Sequence, residues 1–219
     1  MKKYSLPIID KCVETVVLAN GEFPTHPIPL SILNNSKYLV CCDGATNNLS
    51  RTSKEPDAIV GDCDSISSEN NKRFSKIIHR ISEQDTNDLT KAVHFCFGQQ
   101  RYKITILGAT GKREDHTIGN ISLLCDYIKQ NNSEIEMITD YGVFIGIDKT
   151  SSFESFKGQQ VSLFCIDKCH VTTHDLVYEV KKHVFTNLWQ ATLNESEGDE
   201  FTIETDGRMI VYRAFQSIH

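Results

Sequence analysis

Asp62 and Asp64 stand one residue apart in "AIVGDCDSI" (58–66), directly after an apolar run and a glycine. If the chain stayed extended there, side chains two apart would share a face, and like charges held that close repel unless a cation lies between them. Asp43 closes a second apolar run, "YLVCCD", and Asp85 and Asp88 open a helical pattern after a third, "IIHRIS". Carboxylates recurring at such positions suit Mg²⁺, which takes oxygen ligands and normally arrives with substrate phosphates. Plainer roles fit some of these residues too. Asp85 ahead of Thr86, Asn87 and Asp88 reads as a helix N-cap with an acidic first turn, Asp43-Gly44 as a strand-to-helix turn, and Gln84 as a solvated loop residue.

Positive charge enters with "LGATGKREDHTIGN" (107–120). Gly108 and Gly111 let backbone approach a phosphate closely, and Lys112 and Arg113 supply charge. Asp115 is placed to cap the next helix, whose N-terminus favours anions. The segment is not a Walker A loop, because only two residues separate its glycines and Arg113 follows the lysine. By itself it fits a surface turn before a capped helix equally well; opposite a rim of acids it reads as a phosphate loop.

These residues must be carried by a sheet. The runs "TVVLAN" (15–20), "YLVCCD" (38–43), "DAIVGD" (57–62), "IIHRIS" (77–82), "KITILG" (103–108) and "EIEMIT" (134–139) alternate with helical patterns. Continuous apolar runs suit strands buried on both faces, so residues 1–148 are expected to form an α/β domain with a parallel, Rossmann-like sheet. Leu89, Ala92, Val93, Cys96 and Phe97 mark one helix, and Ile118, Ile121, Cys125 and Ile128 a second. In an open parallel sheet the C-terminal strand ends line one crevice, which gathers the acids onto one rim.

After residue 148 the helical period stops, and "QQVSLFCID", "HVTTHDLVYEV" and "DEFTIETDGRMIVYRAF" are strand-like. Residues 149–219 are therefore expected to form a small antiparallel β domain, with "DKTSSFES" as the seam and Asp206-Gly207 as a two-residue hairpin turn.

The 219 residues carry a net charge of −6 with no basic stripe, which argues against nucleic-acid binding by bulk attraction. No apolar run is long enough to span a bilayer, and Pro7, Asp10, Lys11 and Glu14 interrupt the first residues where a signal peptide needs an apolar stretch. A cytoplasmic protein is expected. Cys41, Cys42, Cys96 and Cys125 lie in apolar-periodic segments and read as reduced and buried. Cys165, Cys169, His170 and His174 lack the CxxC spacing of a structural zinc site and are read the same bland way.

Four segments, "CCDGATNNL", "IVGDCDSI", "EQDTNDLTKAV" and "LGATGKREDHTIGNI", together resemble in order and spacing the DGGANRL, GDFDS, QDxTD and LGxxGGRxDH segments of the thiamine pyrophosphokinase (thiamine diphosphokinase) family. The likeness covers most of residues 38–124 and continues more thinly through "HVTTHDLVY" and "LWQATLNES". It implies an α/β domain that binds ATP and Mg²⁺, a C-terminal β-sandwich that completes the thiamine site, and a homodimer with the thiamine cleft shared between subunits. The implied reaction is transfer of pyrophosphate from ATP to the thiamine hydroxyl, giving thiamine diphosphate and AMP. By match to the motifs, Asp43, Asp62, Asp64 and Asp88 serve Mg²⁺–ATP, with Gln84, Asp85 and Thr86 alongside. Gly108, Gly111, Lys112, Arg113, Asp115 and His116 form the phosphate side, with Arg113 facing the transferring group. Trp189, Thr192 and Asn194 are the thiamine contacts implied in the C-terminal part.

The chain also departs from the pattern. Ala45, Asn48 and Lys112 replace a glycine, an arginine and a glycine, and the family's STSN reads Ala191-Thr192-Leu193-Asn194, two hydroxyls short. That loss keeps open a different alcohol acceptor, such as a pterin alcohol, on the same scaffold. A nucleotide-sensing module without turnover and a metal-dependent phosphohydrolase are the readings of other classes.

Overall fold

The computed structural model describes residues 1–130 and 133–217. Its elements begin with β1 Lys2–Tyr4, β2 Thr15–Leu18, α1 Pro27–Asn34, β3 Leu39–Cys42, a 3-10 stretch Asp43–Arg51, β4 Ala58–Gly61, α2 Ser68–Arg73 and β5 Ile78–Arg80. Next come α3 Asp88–Gly98, β6 Lys103–Leu107, α4 Glu114–Ser122, α5 Leu124–Tyr127, β7 Glu134–Ile138 and β8 Gly142–Ile147. The chain closes with β9 Ser151–Glu154, β10 Gln159–Cys165, β11 Val171–His174, a 3-10 turn Leu188–Ala191, β12 Asn194–Glu195, β13 Glu200–Thr205 and β14 Met209–Ser217. These elements fall into two compact units.

One unit comprises Ile8–Leu123 and Asn132–Asp140. Its six strands run in the order β7-β6-β2-β3-β4-β5, and every pairing among them is parallel. β2, β3 and β4 are buried at every position, which is why their sequences do not alternate. α3 covers β3 and β4 with Leu89, Ala92, Val93 and Cys96. The chain builds outward from β2 through β3, β4 and β5, then returns to β2's other side with β6. The strand order therefore reverses between β2 and β6, the place where open parallel sheets bind ligands.

The other unit comprises Met1–Pro7, Leu124–Asn131 and Tyr141–His219. Strands β12-β10-β14-β8 pair antiparallel, and a second sheet has the order β1-β9-β13-β11. Arg213 on β14 is fully buried; its guanidinium donates to the carbonyls of Tyr4, Ser5 and Glu154 and lies 5.4 Å from the Phe153 ring centroid on β9.

Several expectations need correction here. The compact division does not fall at 148/149, because β8 pairs with β14 and β1 pairs in parallel with β9. The proposed seam is largely β9 itself. The second expected helix is broken at Leu123 into α4 and α5, and Ile118 is exposed rather than packed. Asp206-Gly207 is not a hairpin turn: β13 pairs with β9 and β11, whereas β14 pairs with β8 and β10. The turn hands the chain from one sheet to the other. Neither residue takes the positive φ of a type I′ turn, and Asp206 is held instead by the His170 N–H at 2.7 Å and the His170 ring at 2.9 Å.

Candidate active site

Asp43 directly follows β3 as the first residue of the 3-10 stretch, with an unusual φ of 28°, and is 2% exposed. Its Oδ2 accepts from the Ser65 N–H at 3.1 Å, while Oδ1 is buried with no hydrogen-bond partner. β4 stops at Gly61, and Cys63 turns into the left-handed region at φ 66°, so Asp62 and Asp64 are not on an extended strand. The turn nonetheless keeps them together: one carboxylate oxygen from each of Asp43, Asp62 and Asp64 lies within 4.8 Å of the others. Gly61 allows this closeness, since a Cβ there would sit 2.9 Å from the Asp43 Cβ and 3.3 Å from Asp88 Oδ1.

Burial, reinforced by the charges of Asp88 and Asp62, pushes the Asp43 carboxyl up to about 6 against the Ser65 hydrogen bond. Asp88 is also raised, chiefly by burial and against Lys91. Asp62 goes the other way, held down first by the Asp64 N–H and also by Gln84. A buried carboxylate with an orphan oxygen beside two more acids fits a hard cation.

Asp88 is the first residue of α3 and stands beside the three-acid group rather than in it. The cap of α3 is Asn87, whose Oδ1 accepts from the Thr90 N–H at 2.9 Å, so Asp85 does not cap this helix. Asp85 is exposed and donates its N–H to Glu83.

These elements open on a cleft of about 480 Å³ that includes Asp62, Gln84, Thr86 and Asp88 on one side and Gly111, Lys112, Arg113 and His116 on the other. Its floor is the reversal point: Asn20 and Gly21 follow β2, and Ala109 follows β6. The two loops are fastened by Gly21 N–H to Gly108 O at 2.7 Å and Glu22 N–H to Thr110 O at 2.8 Å. Gly108, Gly111 and Lys112 all have positive φ, and Lys112 Nζ reaches the Asn20 carbonyl at 2.8 Å. Arg113 grips Asp115 with Nε to Oδ1 at 3.0 Å and Nη2 to Oδ2 at 2.5 Å, holding that carboxyl down to about 2. Asp115 lies inside the first turn of α4, where the cap position is Arg113 without a side-chain cap, so Asp115 is a partner for Arg113 rather than the cap.

Asn20, Asn87, Lys91 and Asn120 also line the cleft, and sequence reasoning passed over them. Asn120 links the two sides, accepting from Asn87 Nδ2 at 3.0 Å and donating to the Ala109 carbonyl at 2.8 Å. Lys91 was hidden inside an apolar helical stripe, although it sits three residues after Asp88 and so on the same face.

Trp189, Thr192 and Asn194 belong to the other unit. Trp189 is 70% exposed on its 3-10 turn. Thr192 spends its hydroxyl on the Trp189 carbonyl at 2.7 Å. Asn194 is buried, and its amide bonds the Tyr178 N–H and carbonyl at 3.0 and 2.9 Å, which fixes an exposed Tyr178 that the sequence reading missed. His170 and His174 are engaged by Asp206 and Glu204, and among the described residues Cys165, Cys169 and these histidines form no metal-ligating group. No helix among the described residues is long and apolar enough to cross a membrane.

Comparison with known proteins gives two family matches: "Thiamin pyrophosphokinase, catalytic domain" over residues 30–137, and "Thiamin pyrophosphokinase, substrate-binding domain" over residues 142–212. Thiamin pyrophosphokinase 1 of Caenorhabditis elegans is 33% identical over 133 residues, 54% of this chain and 53% of that protein. Thiamine pyrophosphokinase 1 of Oryza sativa is 30% identical over 164 residues, 64% of this chain and 60% of that protein. The chain thus spans little more than half the length of these relatives. The fold is that of the thiamin pyrophosphokinase of Candida albicans, with a TM-score of 0.80 at 19% identity over 98% of this chain and 93% of that one.

Proposed function

The chain belongs to the thiamin pyrophosphokinase family, and from that premise we propose that it transfers the pyrophosphoryl group of ATP to the hydroxyl of thiamine. The hydroxyl oxygen bonds to the β-phosphorus, the bond from that phosphorus to the α–β bridging oxygen breaks, and AMP leaves while the hydroxyl proton passes to a base. The observation that carries this reading is the orphaned Asp43 Oδ1 within a three-carboxylate group whose Asp62 lines, together with Lys112 and Arg113, a cleft at the sheet's reversal point.

Asp43, Asp62 and Asp64, with Asp88 beside them, are the residues that would hold Mg²⁺, and the donor set fits it. The bound ion would neutralise charge on phosphate oxygens. Gln84, Asp85 and Thr86 shape the acid side around ATP. Gly108 and Gly111 keep backbone close to the phosphates, Lys112 and Arg113 meet their charge, and Asp115 orients Arg113, with His116 at the edge. Phosphoryl transfer is mainly positioning and charge neutralisation, so a site without a prepared Ser or Cys nucleophile suits it.

In this reading the α/β unit, Ile8–Leu123 with Asn132–Asp140, is a Rossmann-like ATP domain, and the sheets of the other unit are a sandwich that supplies Trp189 to thiamine and joins two chains into a homodimer. Trp189 suits a flat cationic acceptor, and Thr192 and Asn194 act by shaping the segment around it. Incubation with ATP, Mg²⁺ and either thiamine or water tests the proposal. Thiamine diphosphate and AMP in equal amounts are expected; ADP, or phosphate released without thiamine, would refute it.

A further inference from the structure

Lys112 and Arg113 approach the cleft from the β6–α4 loop and are exposed, whereas Lys91 approaches from α3 and is only 4% exposed. A buried ammonium needs partners for three N–H donors. Among the described residues Lys91 Nζ has one, Asp88 Oδ1, at 3.4 Å. That is long for a charge-assisted bond, which prefers about 2.7–2.9 Å. Where this protein builds a structural ion pair the geometry is tighter: Arg208 grips Asp167 with Nε to Oδ2 and Nη2 to Oδ1, both at 2.8 Å. The core face of α3 gives no reason for a lysine, since Leu89, Ala92, Val93 and Cys96 already fill it.

We infer that Lys91 is a substrate-contacting residue whose ammonium donates to oxygens of the pyrophosphoryl group being transferred; this rests on the pyrophosphokinase reading of the cleft. Lys91 supplies positive charge from the acid side, where the loop cations do not originate. It sits beside carboxylates that hold a metal in the same reading, so metal and ammonium bracket one group of oxygens. A lysine suits this task as a compact point charge on a flexible stem, able to follow the group as it moves from ATP to the acceptor.

The test compares Lys91→Met, Lys91→Gln and Lys91→Arg with the unaltered full chain. Calorimetry with Mg²⁺ measures binding of inorganic pyrophosphate and, separately, of AMP; turnover with ATP and thiamine and the melting temperature are measured alongside. Losing a hydrogen bond to a charged group predicts pyrophosphate binding and kcat lower by about 10- to 100-fold in Lys91→Met. AMP affinity and melting temperature should be unmoved, and Lys91→Arg should recover part of the pyrophosphate binding. A purely structural pairing with Asp88 predicts instead a lower melting temperature and equal losses for both ligands, and that result overturns the inference. So does pyrophosphate binding at the unaltered level in Lys91→Met or, if that variant does not fold, in Lys91→Gln. Because pyrophosphate binding needs no acceptor, a chain that failed to use thiamine yet lost pyrophosphate on substitution of Lys91 would refute the assigned reaction and leave the Lys91 contact standing.

Discussion

Asp43 keeps one carboxylate oxygen on the Ser65 N–H and the other buried without a partner, so its negative charge burdens the metal-free fold. Burial pushes its carboxyl up to about 6 when folded, above the ordinary 3.8, so between those values the folded state binds more protons than the unfolded one. Stability from this group is fully present below about 4 and is lost as pH rises through about 6. Urea unfolding across that window should show this decline, and Asp43→Asn should flatten it and leave the metal-free protein more stable at neutral pH. Mg²⁺ should stabilise the unaltered chain more than the variant, by binding the folded state alone. Asp62→Asn or Asp64→Asn should lower turnover by orders of magnitude with the melting temperature preserved, since each removes a charge and opens no cavity; near-normal rates in both would refute the metal rim. Acids placed after apolar runs were legible in the sequence because charge at a buried edge is costly. Lys91 was not legible, because its neighbours Leu89, Ala92 and Val93 read as a plain core stripe.

Strand identity was readable wherever burial on both faces forces a continuous apolar run, as in β2, β3 and β4. Strand partnership was not readable. The Asp206-Gly207 pair has hairpin chemistry, yet it crosses between sheets, because Gly207 lets the turn lie against Cys169: a Cβ there would fall 2.8 Å from the Cys169 Cβ. Close backbone approach also decides the cleft floor, and one type of substitution should have opposite signs at two glycines. At Gly21 a Cβ would meet the carbonyl oxygens of Gly108 and Thr110 at 2.4 Å, so Gly21→Ala must part the β2 and β6 loops. It should lower stability and weaken ATP binding together. At Gly119, inside α4, a Cβ would meet nothing within 4 Å, so Gly119→Ala should stabilise by about 0.5–1 kcal/mol through helix propensity. Thermal unfolding with and without ATP reads both. A destabilised Gly119→Ala, or a Gly21→Ala that still binds ATP normally, would contradict the described packing.

At the scale of the whole molecule, the cleft and the proposed acceptor platform belong to different compact units. The platform's unit exposes large apolar side chains along a short stretch: Tyr178 69%, Leu188 51%, Trp189 70% and Leu193 67%. Asn194 fastens to Tyr178, and Thr192 to the Trp189 turn, so the exposed groups are held by hydrogen bonds and not left on loose chain. Such exposure suits an interface, and the proposed homodimer would cover it while presenting Trp189 to a partner's cleft. Chains carrying Asp64→Asn and chains carrying Trp189→Ala should each be impaired alone, the first in turnover and the second by a several-fold higher thiamine KM, given the ~0.5–2 kcal/mol of a cation over an aromatic face. Random reassociation of equal amounts makes half the dimers mixed, and a shared arrangement gives each mixed dimer one intact site, so activity at low thiamine should recover to roughly a quarter of the unaltered level. Sites built within single chains predict no recovery on mixing, because every cleft would still lack either Asp64 or Trp189; sedimentation of the same mixtures would verify that dimers had exchanged.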